Sequence, residues 1–264
     1  SDVFNLENKI PFYHVRASVD DSAEVSEITD GYFYLSSVGG ELTAPIVDRK
    51  LIFGEDTSFY VPHLFCKQPL SEILKQQPVT ANKYGCGFTP AAAKLAPGQT
   101  LKIDSLIGYT KNIDQINADS ARLCSEAFFE EKEKVNRDLI EDLTKEVKTK
   151  TALPVFDKYI QTTYMDNLLR GGKPMIFEKN VYHVFSRKHG DMERAYNFFV
   201  VEPEYYSQGN GNFRDVNQNR RMDVSFCPQV MDFNIKMFMD LIGLDGYNPL
   251  CIEGRRFTID KDTA

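Results

Sequence analysis

Over the first 112 positions, apolar and polar residues alternate in short runs. IPFYHVRASV, GYFYLSS, LIFGEDTSFYVPHLF and LKIDSLIGYT are rich in β-branched and aromatic side chains and are separated by Gly, Pro, Asp and Asn. Short strands punctuated in this way predict an all-β sandwich over residues 1–112. The segment LAPGQT sets Pro97 and Gly98 as a turn directly before the strand that ends at Tyr109, because Pro fixes φ and Gly tolerates positive φ.

The period then changes. From Asp114 to about Lys150, the residues Ile116, Leu123, Phe128, Val135, Leu139 and Leu143 recur on a helical stripe, with the charged run EEKEKVNRD as its solvated face. This predicts one long helix acting as a linker over 113–150. Pro154 breaks the pattern, and VFDKYIQTTYMDNLL then reads as a second helix ended by Gly171 and Gly172. A further helix is expected from Val230 to Ile242, with polar loops between. Residues 151–264 therefore form an α-rich third part.

Composition narrows the partners. With 42% hydrophobic residues and 12% aromatic ones, the chain can bury a core. A net charge of -7 and no clustered basic surface exclude nucleic acid and anionic membrane as expected partners. No run is long enough to span a bilayer. The five cysteines, Cys66, Cys86, Cys124, Cys227 and Cys251, are scattered and odd in number, which predicts reduced thiols in a cytoplasmic protein. The chain starts at Ser1 and stops at FTIDKDTA just after a new apolar stretch has begun, so a fragment or processed piece is expected.

Several motifs give no chemistry. GNG at 209–211 lacks the third glycine of a dinucleotide loop, and Asn167 stands where a phosphate loop ending in GGKP would need its first Gly. His14, His63, His183 and His189 have no metal spacing with one another or with the cysteines, so each is expected to be a structural, satisfied histidine, with no metal and no organic cofactor. Met231, Met237 and Met239 are expected to fill gaps in a core.

The tract YYSQGNGNFRDVNQNRRMDV, residues 205–224, differs from all of these. It holds two glycines, four asparagines, two glutamines, three arginines and two aspartates, and it is expected to be a loop between helices. Mixed donors and acceptors suit a ligand covered in hydroxyls, each of which both donates and accepts. Arg214 and Asp215 form a bidentate pair for neighbouring hydroxyls. The same residues also make an Asn/Gly-rich surface turn with an Arg–Asp ion pair. Upstream, SRKHGDMERAYNFF carries Asp191, Glu193 and Arg194, for which a buried ion pair is the plainer account.

FRDVNQN following YYSQGNG resembles the segment near the start of the helical barrel in inverting glycoside phosphorylases of the cellobiose phosphorylase type. LAPGQTLKIDSLIGYTKN is similar to the last strands of that family's N-terminal sandwich, the charged helix to its linker, and ALPVFDKYIQTTYMDNLL to its first barrel helix. HGDMERAYNFF and YYSQGNGNFRDVNQNRR are most similar to the large members, among them 1,2-β-oligoglucan phosphorylases. The resemblance implies a β-sandwich, a helical linker and the opening helices of an (α/α)6 barrel. It also implies cleavage of β-glucosides by inorganic phosphate to a sugar 1-phosphate, with phosphate and a β-linked oligosaccharide as co-substrates. Arg214, Asp215 and Gln218 match the family's sugar-binding motif. Asn219 stands where the cellobiose-type motif has a second Asp, and Tyr206, beside Tyr205, is expected to offer a stacking face. The family's general acid lies in a Trp-Asn-Asp motif; this chain has no Trp, so the catalytic acid is expected beyond residue 264.

Two other readings stand beside this one: a glycoside hydrolase on a similar barrel using Asp191 and Asp223, and a non-catalytic carbohydrate-binding module. Helix faces left uncovered by half a barrel predict a companion polypeptide or a homo-oligomer.

Overall fold

The structure, a computed structural model, describes residues 1–15, 29–188, 200–201, 208 and 211–254. It divides into two compact units, Ser1–Lys134 and Val135–Ala264. The architecture is mixed, with antiparallel sheets and several helices.

The first unit is built on one five-stranded antiparallel sheet. Its strands are β1 (Asp2–Phe4), β2 (Phe12–His14), β3 (Gly31–Val38), β4 (Glu41–Leu42) and, after three short helices, β5 (Ile103–Thr110). Those helices are α1 (Lys50–Phe53), α2 (His63–Lys67) and α3 (Leu70–Ile73). The long central pairing is β3 with β5, running from Gly31↔Thr110 to Val38↔Ile103. β3 shows the alternation expected of a half-buried strand: Phe33 and Leu35 point into a core with Ile10, Phe12, Leu123, Cys124 and Phe128, while Tyr32 is exposed. The turn at Gly98 forms as expected, with φ 84° and a Gln99 N–H to Ala96 carbonyl bond of 3.0 Å.

The expected strand over 51–65 is instead parts of two helices. Gly54 (φ 68°) caps α1 and Pro62 opens α2, with 54–62 irregular between them and Phe59, Tyr60 and Val61 exposed; Ile52 joins Ile46 and Ile73 in a small separate cluster.

The expected long helix is broken into α4 (Ile113–Ala118), α5 (Ser120–Leu123) and α6 (Glu126–Thr144). Asn112 caps α4 by accepting from the Asp114 N–H at 2.9 Å. The Ser125 hydroxyl donates to the Arg122 carbonyl at 2.7 Å and accepts from the Phe128 N–H, which restarts the helix. Of the stripe, Leu123, Phe128 and Leu143 are buried, whereas Val135 and Leu139 are exposed. The division between the two units falls inside α6, within the segment read as a linker.

In the second unit α7 (Pro154–Gly171) follows its sequence signals closely. Pro154 stands at its start, Asp157 accepts from the Thr151 N–H and from Thr149 Oγ1, and Gly172 stops it at φ 87°. Tyr164 and Leu168 bury the helix against Leu143. A hairpin of β6 (Lys173–Phe177) and β7 (Asn180–Val184) comes next, a feature absent from the sequence reading. Two minor ladders join β8 (Arg187–Lys188) to β9 (Val200–Val201), and β10 (Gly211–Asn212) to β11 (Cys251–Ile252). Between β10 and β11 stand α8 (Phe213–Arg220), α9 (Asp223–Phe226) and α10 (Phe233–Asp240). α10 packs through Phe238, whose ring meets Phe213 edge-on at 5.2 Å. The methionines divide: Met237 is half-buried beside that core, while Met231 and Met239 are exposed, correcting their assignment as core fillers. No helix among the described residues is long and apolar enough to cross a membrane.

Candidate functional site

The polar tract is not a loop throughout. From Phe213 it is the helix α8, because Asn212 caps the end: its side-chain oxygen accepts from the Arg214 N–H at 3.0 Å, and its extended backbone feeds β10. At 100° per residue the eight positions sort into faces. Phe213, Val216 and Arg220 are buried; Arg214 and Gln218, one turn apart, are exposed; Asp215 and Asn219, also one turn apart, lie between these faces and are half-buried. Four of the five site residues expected from sequence thus fall into two adjacent pairs on one helix. Tyr205, Tyr206 and Asp191 lie outside the described residues.

Arg214 and Asp215 do pair, with Arg214 Nε donating to Asp215 Oδ1 at 3.2 Å. Their environments differ sharply: the Arg214 side chain is 65% exposed and that of Asp215 only 12%. The second carboxylate oxygen, Asp215 Oδ2, is buried and has no hydrogen-bond partner among the described residues. An unsatisfied buried acceptor costs about 1–3 kcal/mol, and its place in the first turn of α8, where the helix dipole favours negative charge, offsets part of that cost.

Asn219 opens onto a cavity of about 320 Å3. Asn167, Gln229, Lys173 and Asp223 supply polar lining, and Tyr164 and Phe226 the aromatic wall, their rings 4.8 Å apart at 65°. Neither Arg214, Asp215 nor Gln218 lines this cavity. Amides, a cation and a carboxylate beside an aromatic edge suit a hydroxylated ring.

The floor of this region is a buried polar knot. His183 Nε2 donates to Asp223 Oδ2 at 2.6 Å, and Asn234 Nδ2 donates to the same oxygen at 2.8 Å. Asn234 also reaches the Arg220 carbonyl at 3.3 Å, while Arg220 Nε donates to the Gly171 carbonyl at 3.2 Å. These bonds tie the ends of α7 and α8 to β7, α9 and α10. The approach is close: a Cβ on Gly171 would stand 2.6 Å from the Asn219 carbonyl oxygen. His183 is thus the satisfied histidine expected, and Asp223, engaged twice, serves as an anchor between elements.

Sequence reading missed Asn167, Lys173, Tyr164 and Phe226 as neighbours of Asn219, and the His183–Asp223 pair. One signal was available. In NVYHV, Val181 and His183 alternate with exposed or half-buried positions, so His183 sits at an inward-facing site where a polar ring needs a partner. All five cysteines are free thiols, and no group of three or more His, Cys, Asp or Glu side chains among the described residues could hold a metal.

No protein-family model matches this chain, and no curated protein matches it either. The reading of the site accordingly rests on its residues.

Proposed function

We propose that this chain supplies sugar-binding residues of an inverting glycoside phosphorylase of the cellobiose phosphorylase type, cleaving β-linked oligosaccharides with inorganic phosphate. In this reading residues 1–112 belong to a β-sandwich, 113–150 to its linker and 151–264 to the opening of an (α/α)6 barrel. The observation that carries it is Asp215: one oxygen paired with Arg214, the other buried and unpaired. A sugar hydroxyl that displaces the side chains covering the buried oxygen completes that carboxylate, and the exposed guanidinium beside it donates to the neighbouring sugar oxygen.

The chemistry needs little more from the protein. A phosphate oxygen attacks the anomeric carbon from the face opposite the leaving group, the C–O bond to the departing sugar breaks, and a carboxylic acid gives its proton to that oxygen. Phosphate takes the place of the water and general base of an inverting hydrolase. The acid belongs to a tryptophan-containing motif in the resembled family, so residues 1–264, which contain no Trp, bind sugar without turning it over. Exposed Ile235 and Met239, one turn apart on α10, support a companion helix or a second copy covering that face.

Calorimetric titration of the 264-residue chain with β-linked gluco-oligosaccharides tests this. Binding without turnover is expected, and Asp215→Asn or Arg214→Ala should weaken it roughly 10- to 100-fold, the worth of a charged hydrogen bond. Unchanged affinity in both variants, or no binding by the parent chain, would refute the assignment. Release of sugar 1-phosphate by this chain alone would refute the placement of the acid, and phosphate-independent hydrolysis would favour the hydrolase.

A further inference from the structure

Among the described residues β5, an outer strand of the first unit's sheet, has one edge open. The Gly39 N–H bonds the Lys102 carbonyl at 2.9 Å, and the ladder pairs Val38 with Ile103 through Gly31 with Thr110. In an antiparallel ladder bonded and non-bonded pairs alternate. Asp104, Leu106, Gly108 and Thr110 therefore direct their amides and carbonyls at β3, whereas Ile103, Ser105, Ile107 and Tyr109 direct theirs away from it. Among the described residues no strand other than β3 pairs with β5. The strand also lacks the usual protection of an edge: IDSLIGYT contains no proline and one charge, Asp104, and Ile107 is 73% exposed.

We propose that β5 pairs antiparallel with β5 of a second copy of this chain about a two-fold axis at Leu106, joining two five-stranded sheets edge to edge. Hydrogen-bond parity and the length of β5 together select the register. Centring on Leu106 sets Ile103 opposite Tyr109, Ser105 opposite Ile107, and the reciprocal pairs beyond, so every outward amide and carbonyl of β5 finds a partner. Parity excludes an axis midway between two residues, and moving the centre to Ser105 or Ile107 leaves Tyr109 or Ile103 opposite a residue beyond the ends of β5. The same register sets Asp104 against Gly108 and Lys102 against Thr110, so no like charges meet. It also keeps the faces aligned, so Ile103, Ile107 and Tyr109 of both copies form one apolar strip and Leu106 remains on the core side. The pairing is independent of the sugar reading.

Amide hydrogen exchange of the 264-residue chain, with sedimentation across a dilution series, tests it. A dimer is expected in which the amides of residues 103, 105, 107 and 109 exchange slowly only at concentrations where the dimer forms, while those of 104, 106, 108 and 110 are protected throughout. Ile107→Pro removes an outward donor from each copy without touching the β3 ladder and should weaken association roughly 30-fold. Ile107→Lys, which keeps the backbone amide, guards against misfolding of the proline variant and should also favour the monomer. A monomer at all concentrations, protection of the odd-numbered amides that ignores concentration, or a dimer indifferent to both folded variants would overturn the proposal.

Discussion

Replacing Asp223 with alanine removes the acceptor at the centre of the buried knot. Asp223 is 8% exposed, and a single oxygen accepts from His183 at 2.6 Å and from Asn234 at 2.8 Å. The truncation strips buried His183 Nε2 of this acceptor and leaves half-buried Asn234 Nδ2 with the Arg220 carbonyl alone, a cost of roughly 3–5 kcal/mol as for breaking a buried pair. Folded domains hold about 5–15 kcal/mol in all, so the loss threatens the second unit's fold. At about 4 °C per kcal/mol for a domain of this size, its Tm should fall by roughly 12–20 °C. Asp223→Asn keeps an acceptor oxygen but points an amide group at the donors, so an intermediate loss of about 1–3 kcal/mol is expected. Calorimetry and urea titration followed by circular dichroism read both variants, with the first unit's transition as an internal reference. A cost below about 1 kcal/mol for the alanine variant would show that the knot is hydrated and contributes little, refuting its role as an anchor.

Two further outcomes follow from the packing. Gly171→Ala gains up to about 1 kcal/mol of helix propensity but forces a methyl against the Asn219 carbonyl, a strain of about 1–3 kcal/mol; a net loss of stability by calorimetry is expected, and a gain would show that α8 moves freely from α7. Burial pushes the Cys86 thiol up to about 11, and it donates to the Val47 carbonyl at 3.0 Å. Alkylation should therefore reach exposed Cys66 and Cys251 well before Cys86. Because the folded state holds this proton more tightly than the unfolded chain, the stabilisation is full below the ordinary thiol pKa of 9.0 and is lost as pH rises towards 11. Equal labelling rates, or alkaline unfolding of the first unit indifferent to Cys86→Ala, would contradict that environment.

What the sequence determined by itself was local. Pro154 and the Gly171–Gly172 stop place α7 to within two residues because start and stop signals lie at the ends of the element itself. β3 and β5 were legible from their β-branched and aromatic alternation and from the turn at Gly98. Where short-range signals conflict, tertiary contacts decided. Residues 51–65 have strand composition yet form the ends of two short helices with an irregular stretch between, since Ile52 gains a buried place against Ile46 and Ile73 that way. Likewise FRDVNQNR, polar enough to read as a loop, becomes a helix because its cap and three buried side chains, Phe213, Val216 and Arg220, have somewhere to dock. Separating Asn219 from Arg214 and Gln218 by face, and joining His183 to Asp223 across forty positions, required the assembled unit. Chain pattern sets which torsions are cheap for each residue; only the folded unit sets which distant groups share one low-dielectric space, and that sharing makes the site.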